Sequence, residues 1–115
     1  MIFFEDERRI AYYMLEGNTI TEAAAEFGIK VKKISSILND RIRFNNPEVY
    51  ALIKKKPYMA FQRCIYKKCS IRDACKIFQI SEKTFNDFLN EILKSDKKMY
   101  IKMRNQIYIS ENSKK

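Results

Sequence analysis

The sequence predicts an all-α protein made of two similar helix-turn-helix units. Only two Gly and two Pro occur in 115 residues, so few positions interrupt a helix. Seven Tyr and eight Phe supply apolar surface for a core, and intrinsic disorder is therefore not expected. The third observation is an internal repeat, in which the second copy follows the first at an offset of 51 residues.

The repeat aligns residues 19–40 with residues 70–91. Most apolar positions keep their class, and seven of the 22 aligned positions carry the same residue in both copies. The identical pairs are Ile20/Ile71, Ala23/Ala74, Phe27/Phe78, Ile29/Ile80, Lys32/Lys83, Leu38/Leu89 and Asn39/Asn90. Two copies of one supersecondary unit are the economical interpretation.

Each unit is predicted to contain three helices, because apolar residues recur at helical spacing. The predicted ranges are 5–16, 20–26 and 30–40 in the first unit, and 58–68, 71–77 and 81–93 in the second. Thr19 with Glu22, and Ser70 with Asp73, have capping-box spacing at the start of the middle helix. A small residue within that helix lets the third helix approach closely, which is typical of a helix-turn-helix.

The turn after the middle helix differs between the two copies. Gly28 in the first copy can adopt a positive φ at little cost. The second copy has Gln79 at the same place, so a strained or differently shaped turn is predicted there.

Between the units, Asn46-Pro47-Glu48 indicates the start of a linking helix, which Pro57 should end. Residues 41–45 are predicted as a linker. The predicted organisation is a first helix-turn-helix unit at 1–45, a linking helix at 46–57, a second unit at 58–94 and a basic tail at 95–115. Two β-rich stretches in the tail are compatible with a short C-terminal β-hairpin, while a helical extension and a partly ordered arm remain open.

The formal net charge is +9, from 23 Lys and Arg against 14 Asp and Glu. Residues 41–69 carry a net +7 and residues 92–115 a net +5, so the charge is concentrated in two blocks. Nucleic acid is the natural partner of such blocks, because contacts to phosphates release condensed counterions. The alternative is a basic surface without a specific partner, and a membrane surface is a weaker candidate.

The absence of certain residues excludes several classes of chemistry. There is no His, which excludes a Ser-His-Asp triad and the usual zinc ligand sets. Cys64, Cys69 and Cys75 contain no CxxC pair, so they predict free thiols in a reducing compartment. Cys64 and Cys75 fall on predicted core faces. We therefore predict no enzyme activity, no catalytic residue, no metal site, no cofactor and no membrane span.

The start of the third helix of the first unit is the main candidate for base contacts. Its outward positions are Lys30, Lys32, Lys33, Ser35 and Ser36. Three Lys near the positive end of a helix dipole are unfavourable unless phosphates or guanine edges meet them. A solvated helix face is the alternative. Arg41 and Arg43, which follow the helix, suit contacts to phosphates.

The third helix of the second unit offers a more mixed set of side chains. Its candidates for DNA binding are Ser81, Lys83, Thr84 and Asn86. Asn86 has the chemistry to pair with adenine. However, Glu82, Asp87 and Glu91 lie on the same helix and repel phosphates. Packing or dimer contacts are therefore the alternative role for this helix.

One run of the first half resembles a known family. Residues 20–29, together with Leu38, Asp40, Arg41 and the stretch from Asn46 to Val49, resemble the stage III sporulation protein D family of small bacterial transcription regulators. The resemblance covers less than half of the chain, and residues 30–35 depart from the family pattern, so no target sequence is implied. It implies DNA binding, activation or repression of genes, and a cytoplasmic, nucleoid-associated location.

The sequence thus predicts a sequence-specific regulator that binds double-stranded DNA with one or two recognition helices. A homodimer partner and RNA polymerase are the further partners considered. A second hypothesis is an interaction module, in which the second unit mediates dimerisation or docks on another protein. A third is the DNA-binding subunit of a recombination or replication complex.

Overall fold

A computed structural model of the chain describes residues 5–112, and side-chain environments for residues 6–105 within that range. The described residues form eight helices and contain no strand, so the prediction of an all-α fold is confirmed. The helices are α1 (Glu5–Leu15), α2 (Ile20–Phe27), α3 (31–45), α4 (Pro47–Lys54), α5 (Lys56–Tyr66), α6 (Ile71–Ile77), α7 (Glu82–Ser95) and α8 (Lys97–Asn112).

The chain divides into two compact units between Lys55 and Lys56. Unit 1 contains α1 to α4, and unit 2 contains α5 to α8. Each unit encloses its own cluster of buried apolar side chains. A separate core in each unit agrees with two copies of one supersecondary structure.

The core of unit 1 receives side chains from all four of its helices. Ile10 of α1, Ala23 of α2 and Ile53 of α4 are buried around Ile34 and Leu38 of α3. The small side chain of Ala23 leaves room for α3 to pack closely on α2. The buried row along α3 therefore determines which side of that helix faces solvent.

The core of unit 2 uses the equivalent positions. Ala74 of α6 is buried against Phe85 and Leu89 of α7. In the repeat, these three residues correspond to Ala23, Ile34 and Leu38 of unit 1. Cys64 of α5 and Met103 of α8 complete this cluster. The alanine and the leucine are the same in both units, and Phe85 is the larger side chain at the position of Ile34.

The structural repeat includes a fourth helix in each unit. The bounds of α1 and α5 differ by 51 residues at both ends, which is the offset of the sequence repeat. α4 packs on α1 and α3, and α8 packs on α5 and α7 in the same order. The segment expected at 46–57 to link the units is therefore the fourth helix of unit 1, and Ile53 anchors it in that core.

The tail is helical and not a β-hairpin. Backbone from Lys97 to Asn112 forms α8, and the Asp96 carboxylate accepts a hydrogen bond from the Met99 amide at 3.1 Å at its start. Met103 is buried in the core of unit 2, and Tyr100 packs against it. Of the alternatives left open by the sequence, the helical extension is the one found, because burial at helical spacing outweighs the β-propensity of this stretch.

Residues 41–45, expected to be a linker, continue α3. The helix passes through a π-helical segment, Ile37–Ile42, and returns to α-helix at Arg43–Asn45. Ile34, Leu38 and Ile42 follow one another at intervals of four residues, and all three are buried in the same core. In a regular α-helix such a row drifts around the axis, and the wider π-helical turn reduces this drift.

Both middle helices begin with the predicted hydroxyl cap, and the complete capping box is found at the first of them. The Thr19 amide donates to Glu22 Oε1 at 2.8 Å, and the Glu22 amide donates to Thr19 Oγ1 at 3.1 Å, which completes a capping box. In unit 2 the Asp73 amide donates to Ser70 Oγ at 3.1 Å. These bonds satisfy amides that the first turn of a helix cannot pair internally.

The two turns after these helices have the same geometry. Gly28 has φ 66° and Gln79 has φ 58°, both in the left-handed region. The next amide donates back to a residue of the preceding helix in each case, Ile29 to Ala24 and Ile80 to Cys75. Gln79 therefore accepts backbone strain that Gly28 avoids.

We expect Gln79→Gly to raise the free energy of unfolding by about 0.5–1 kcal/mol, because glycine relieves the strain of a positive φ. Gly28→Ala should lower it by about 1 kcal/mol through the opposite effect. A β-carbon at Gly28 would meet no atom within 4 Å, so backbone strain is the only cost there. Urea denaturation of both variants measures these changes, and a destabilised Gln79→Gly variant would contradict the assignment of strain.

Cys64, Cys69 and Cys75 form no disulfide, and the predicted burial of Cys64 and Cys75 is confirmed. Burial raises the pKa of the Cys75 thiol, and the nearby Glu82 and Cys69 raise it further. Cys69 is only partly buried.

We expect iodoacetamide to modify Cys69 before Cys75 in the folded protein, because Cys75 is buried and its raised pKa disfavours the reactive thiolate. Peptide mass spectrometry over a time course measures the order of modification. In urea the difference should disappear. Equal rates for Cys69 and Cys75 without denaturant would show that the core of unit 2 opens readily.

Candidate nucleic-acid interface

Three lysines lie exposed at the start of α3. Lys30 ends the turn after α2, and Lys32 and Lys33 belong to the first turn of α3. Ile34, the next residue, is fully buried in unit 1. The packing of Ile34 therefore turns the neighbouring lysines toward solvent.

None of these lysines forms an ion pair within residues 6–105. Lys30 also occupies the N-cap position of α3 without making a side-chain capping bond. The helix dipole places further positive charge at this end. Positive charge is thus concentrated here without a nearby acid paired to it.

Two exposed apolar residues accompany the lysines. Ile29 is 36% exposed and Val31 is 45% exposed. Ile29 lines a shallow, open depression with three lysines and a serine, namely Lys30, Lys32, Lys33 and Ser36. The sequence has a β-branched residue on each side of Lys30. A prediction based on charge alone does not include these two apolar side chains in the site.

The predicted serines of α3 differ in their surroundings. Ser35 is half-buried, whereas Ser36 is exposed. Ser36 Oγ donates a hydrogen bond to Asp40 Oδ2 at 3.1 Å, one turn further along the helix. Ser36 can therefore donate a hydrogen bond to a ligand only if this bond is exchanged, although its oxygen can still accept one.

A second depression beside α3 mixes both signs of charge. It is lined by Asp6, Glu7, Lys33, Ser36, Ile37, Asp40 and Arg41. The carboxylates weaken the positive potential on this side of Lys33. The side of Lys30 and Lys32 is therefore the more favourable for a polyanion.

Arg41 is engaged in an ion pair with α1. Its Nε lies 2.7 Å from Glu7 Oε1, and the Glu7 side chain is only 6% exposed while that of Arg41 is 47% exposed. Glu7 Oε2 is buried and has no hydrogen-bond partner. Arg41 thus neutralises a nearly buried carboxylate, a structural role that the sequence did not indicate.

We expect Arg41→Gln to lower the free energy of unfolding by about 1–3 kcal/mol, because it leaves the buried Glu7 carboxylate without its cation. Arg43→Gln removes the same charge from a position without an ion pair and should change stability by less than about 0.5 kcal/mol. Urea denaturation distinguishes the two. Equal stabilities would show that the Glu7–Arg41 pair contributes nothing to the fold.

In unit 2, the corresponding side chains of α7 bond mostly to each other. Ser81 Oγ accepts from the Thr84 amide at 3.0 Å and also lies 3.0 Å from Thr84 Oγ1. Lys83 Nζ lies 3.0 Å from Asp87 Oδ2. Asn86 is exposed and is the predicted candidate of this helix without such a bond.

The charge of the two third helices is opposite in sign. Residues 30–45 carry five basic and one acidic side chain, whereas the equivalent residues 81–96 carry two basic and four acidic ones. Unit 2 nevertheless has the larger net charge, with fourteen basic and six acidic residues from 56 to 115. Its positive charge therefore lies mostly on helices other than α7.

Two aromatic residues near α3 were not predicted as site residues. Phe44 is 85% exposed, in the stretch that had been interpreted as a linker. Tyr50 of α4 is half-buried and lies under two cations, with Arg43 Cζ at 5.8 Å and Lys54 Nζ at 5.7 Å from its ring centre. Only the tertiary packing of α4 on α3 brings these three residues together.

The described residues contain no group of three or more Cys, Asp or Glu side chains placed to hold a metal ion. Between residues 5 and 112, no helix has the length and apolar character needed to cross a membrane. Comparison of the chain with protein-family models, curated proteins and solved structures gave no match.

Proposed function

We propose that this protein binds double-stranded DNA and acts as a sequence-specific transcriptional regulator, with α2 and α3 of unit 1 serving as a helix-turn-helix. The observation that carries the proposal is the set of exposed lysines at the start of α3, which have no acid partner in the described part of the chain. Lysine donates to guanine O6 and N7 and to phosphates, and duplex DNA supplies both in its major groove.

The packing of α3 supports this orientation. Its buried row faces α1, α2 and α4, so its opposite side is available to a groove. A major groove admits one α-helix, and the N-terminal residues of a recognition helix contact base edges. Ile29 and Val31 add apolar surface of the kind that contacts thymine methyl groups.

We propose that unit 2 is a second helix-turn-helix, which is less suited than unit 1 to contact bases. Of its predicted DNA-binding residues, Ser81, Lys83 and Thr84 already have partners within α7. Asn86 is the side chain best placed to contact a base. We therefore assign sequence recognition mainly to unit 1.

A protein-interaction role for unit 2 is the second candidate. The acidic balance of residues 81–96 favours it, since that helix would repel phosphates. Its partner would be a second copy of the chain or a protein such as RNA polymerase. Sedimentation at several concentrations tests the role in self-association, because self-association is concentration-dependent whereas tandem DNA reading by a monomer is not.

We expect Lys32→Ala combined with Lys33→Ala to weaken binding to a selected duplex by roughly 1–3 kcal/mol for each base-reading lysine that is removed. The duplex is obtained by selecting bound oligonucleotides from a random pool. Fluorescence anisotropy measures the affinity. The log of the binding constant should also fall less steeply with the log of the salt concentration.

The comparison variant is Lys83→Ala combined with Lys94→Ala, which removes the same charge from α7 in unit 2. Its affinity should fall much less, because Lys83 is bonded to Asp87. If the two double variants bind equally, α3 is not the recognition helix. If selection enriches no sequence, binding is not sequence-specific.

A further inference from the structure

Four side chains on α3 and α4 form a compact cluster at the surface of unit 1. Asn39 and Arg43 lie one turn apart on α3, and Tyr50 and Lys54 lie one turn apart on α4. The Tyr50 hydroxyl donates to Asn39 Oδ1 at 3.0 Å. Arg43 Cζ and Lys54 Nζ are 5.8 Å and 5.7 Å from the Tyr50 ring centre. One aromatic ring thus holds two cations and orients one amide.

The cluster presents donors without a matching acceptor. Arg43 and Lys54 are exposed, and neither forms an ion pair within residues 6–105. Because Asn39 Oδ1 accepts from Tyr50, the Nδ2 group of Asn39 remains as a donor. Both cations lie beside the same ring. Two exposed positive charges without an ion pair at this place favour an external anion.

The distance from the lysines of α3 indicates which anion this is. Arg43 lies eleven residues beyond Lys32 on the same helix, which corresponds to about 16 Å along its axis. The major groove is about 12 Å wide. When the first turn of α3 lies in the groove, the far end of the helix therefore reaches the sugar–phosphate backbone at its edge.

We infer that Asn39, Arg43, Tyr50 and Lys54 form a phosphate clamp, in which Arg43, Lys54 and the Asn39 amide contact the DNA backbone beside the groove and Tyr50 positions them. This inference rests on the proposed DNA binding. It adds a backbone contact that the proposed function does not itself require. The sequence already favours phosphate contacts for Arg43 and for the basic run that contains Lys54, whereas the roles of Asn39 and Tyr50 follow from the fold.

Unit 2 provides an internal comparison. The fourth helices begin at Pro47 and Lys97, an offset of 50, so the positions equivalent to Arg43, Tyr50 and Lys54 are Leu93, Tyr100 and Arg104. Unit 2 thus keeps the aromatic ring and one cation, but an apolar leucine replaces the other cation. The pair of cations around one ring is therefore a feature of unit 1.

The test measures binding of a fluorescent mixed-sequence duplex over a range of salt concentrations. For Arg43→Gln combined with Lys54→Gln, the slope of log affinity against log salt should shrink by about 0.9 for each phosphate released. The charge-matched control is Lys76→Gln combined with Lys94→Gln, whose slope should change less. Both pairs are exposed, and circular dichroism verifies that each variant is folded.

Tyr50 is tested as a positioning residue. Tyr50→Leu leaves the net charge unchanged, and we expect affinity about 2- to 5-fold weaker because the cations lose their ring. Tyr50→Phe keeps the ring and loses only the bond to Asn39, so it should retain more affinity than Tyr50→Leu. Equal affinities of these two variants would overturn the role of the ring.

The outcomes separate the clamp from the function on which it rests. If the unmodified protein binds the duplex and the Arg43/Lys54 variant keeps the full salt slope, the clamp is wrong while the proposed DNA binding stands. If the unmodified protein binds neither this duplex nor a selected one, the proposed function fails and the clamp with it. A reduced slope for the Arg43/Lys54 variant alone supports the clamp.

Discussion

The burial of one row of apolar side chains on the third helix is the constraint on which the rest of unit 1 depends. Ile34 and Leu38 pack against α2 at the point where Ala23 leaves space for them, and the π-helical segment keeps Ile42 in the same core. Rotating α3 to bury Lys32 or Lys33 would remove these residues from the core and desolvate a charge. The exposed positive face is therefore a consequence of packing.

The two units show how one packing scheme can support different surfaces. Their buried positions correspond, as with Ile34 and Phe85, while their exposed positions have diverged in charge. Lys30 stands where Ser81 provides an N-cap for α7, so unit 1 has a lysine at a position that favours a capping hydroxyl. Giving up a cap of this kind costs stability. The loss of a stabilising cap in favour of a lysine is expected where a surface is used for binding.

Much of the local structure was predictable from the sequence, and most of the tertiary detail was not. Helical spacing, the hydroxyl caps and the repeat were sufficient for six of the helices, and the Asn46-Pro47 start was sufficient for a seventh, because these signals lie within a few residues of each other. α8 and the continuation of α3 depend on burial of Met103 and Ile42 by distant segments. The role of Arg41 depends likewise on Glu7, 34 positions earlier in the chain. Interactions of this kind leave no periodic pattern in the sequence.

The distribution of charge shows that a DNA-binding site depends on where the charged side chains lie in the fold, and not on their number alone. Unit 2 contains most of the excess of basic residues, and composition alone would have put the DNA interface there. Its third helix, however, has its lysine bonded to Asp87 and carries more acids than bases. In unit 1 the excess is small, yet Lys30, Lys32 and Lys33 are exposed together without acid partners. Local potential depends on which charges are neighbours, so the less basic unit presents the more favourable surface to a base pair.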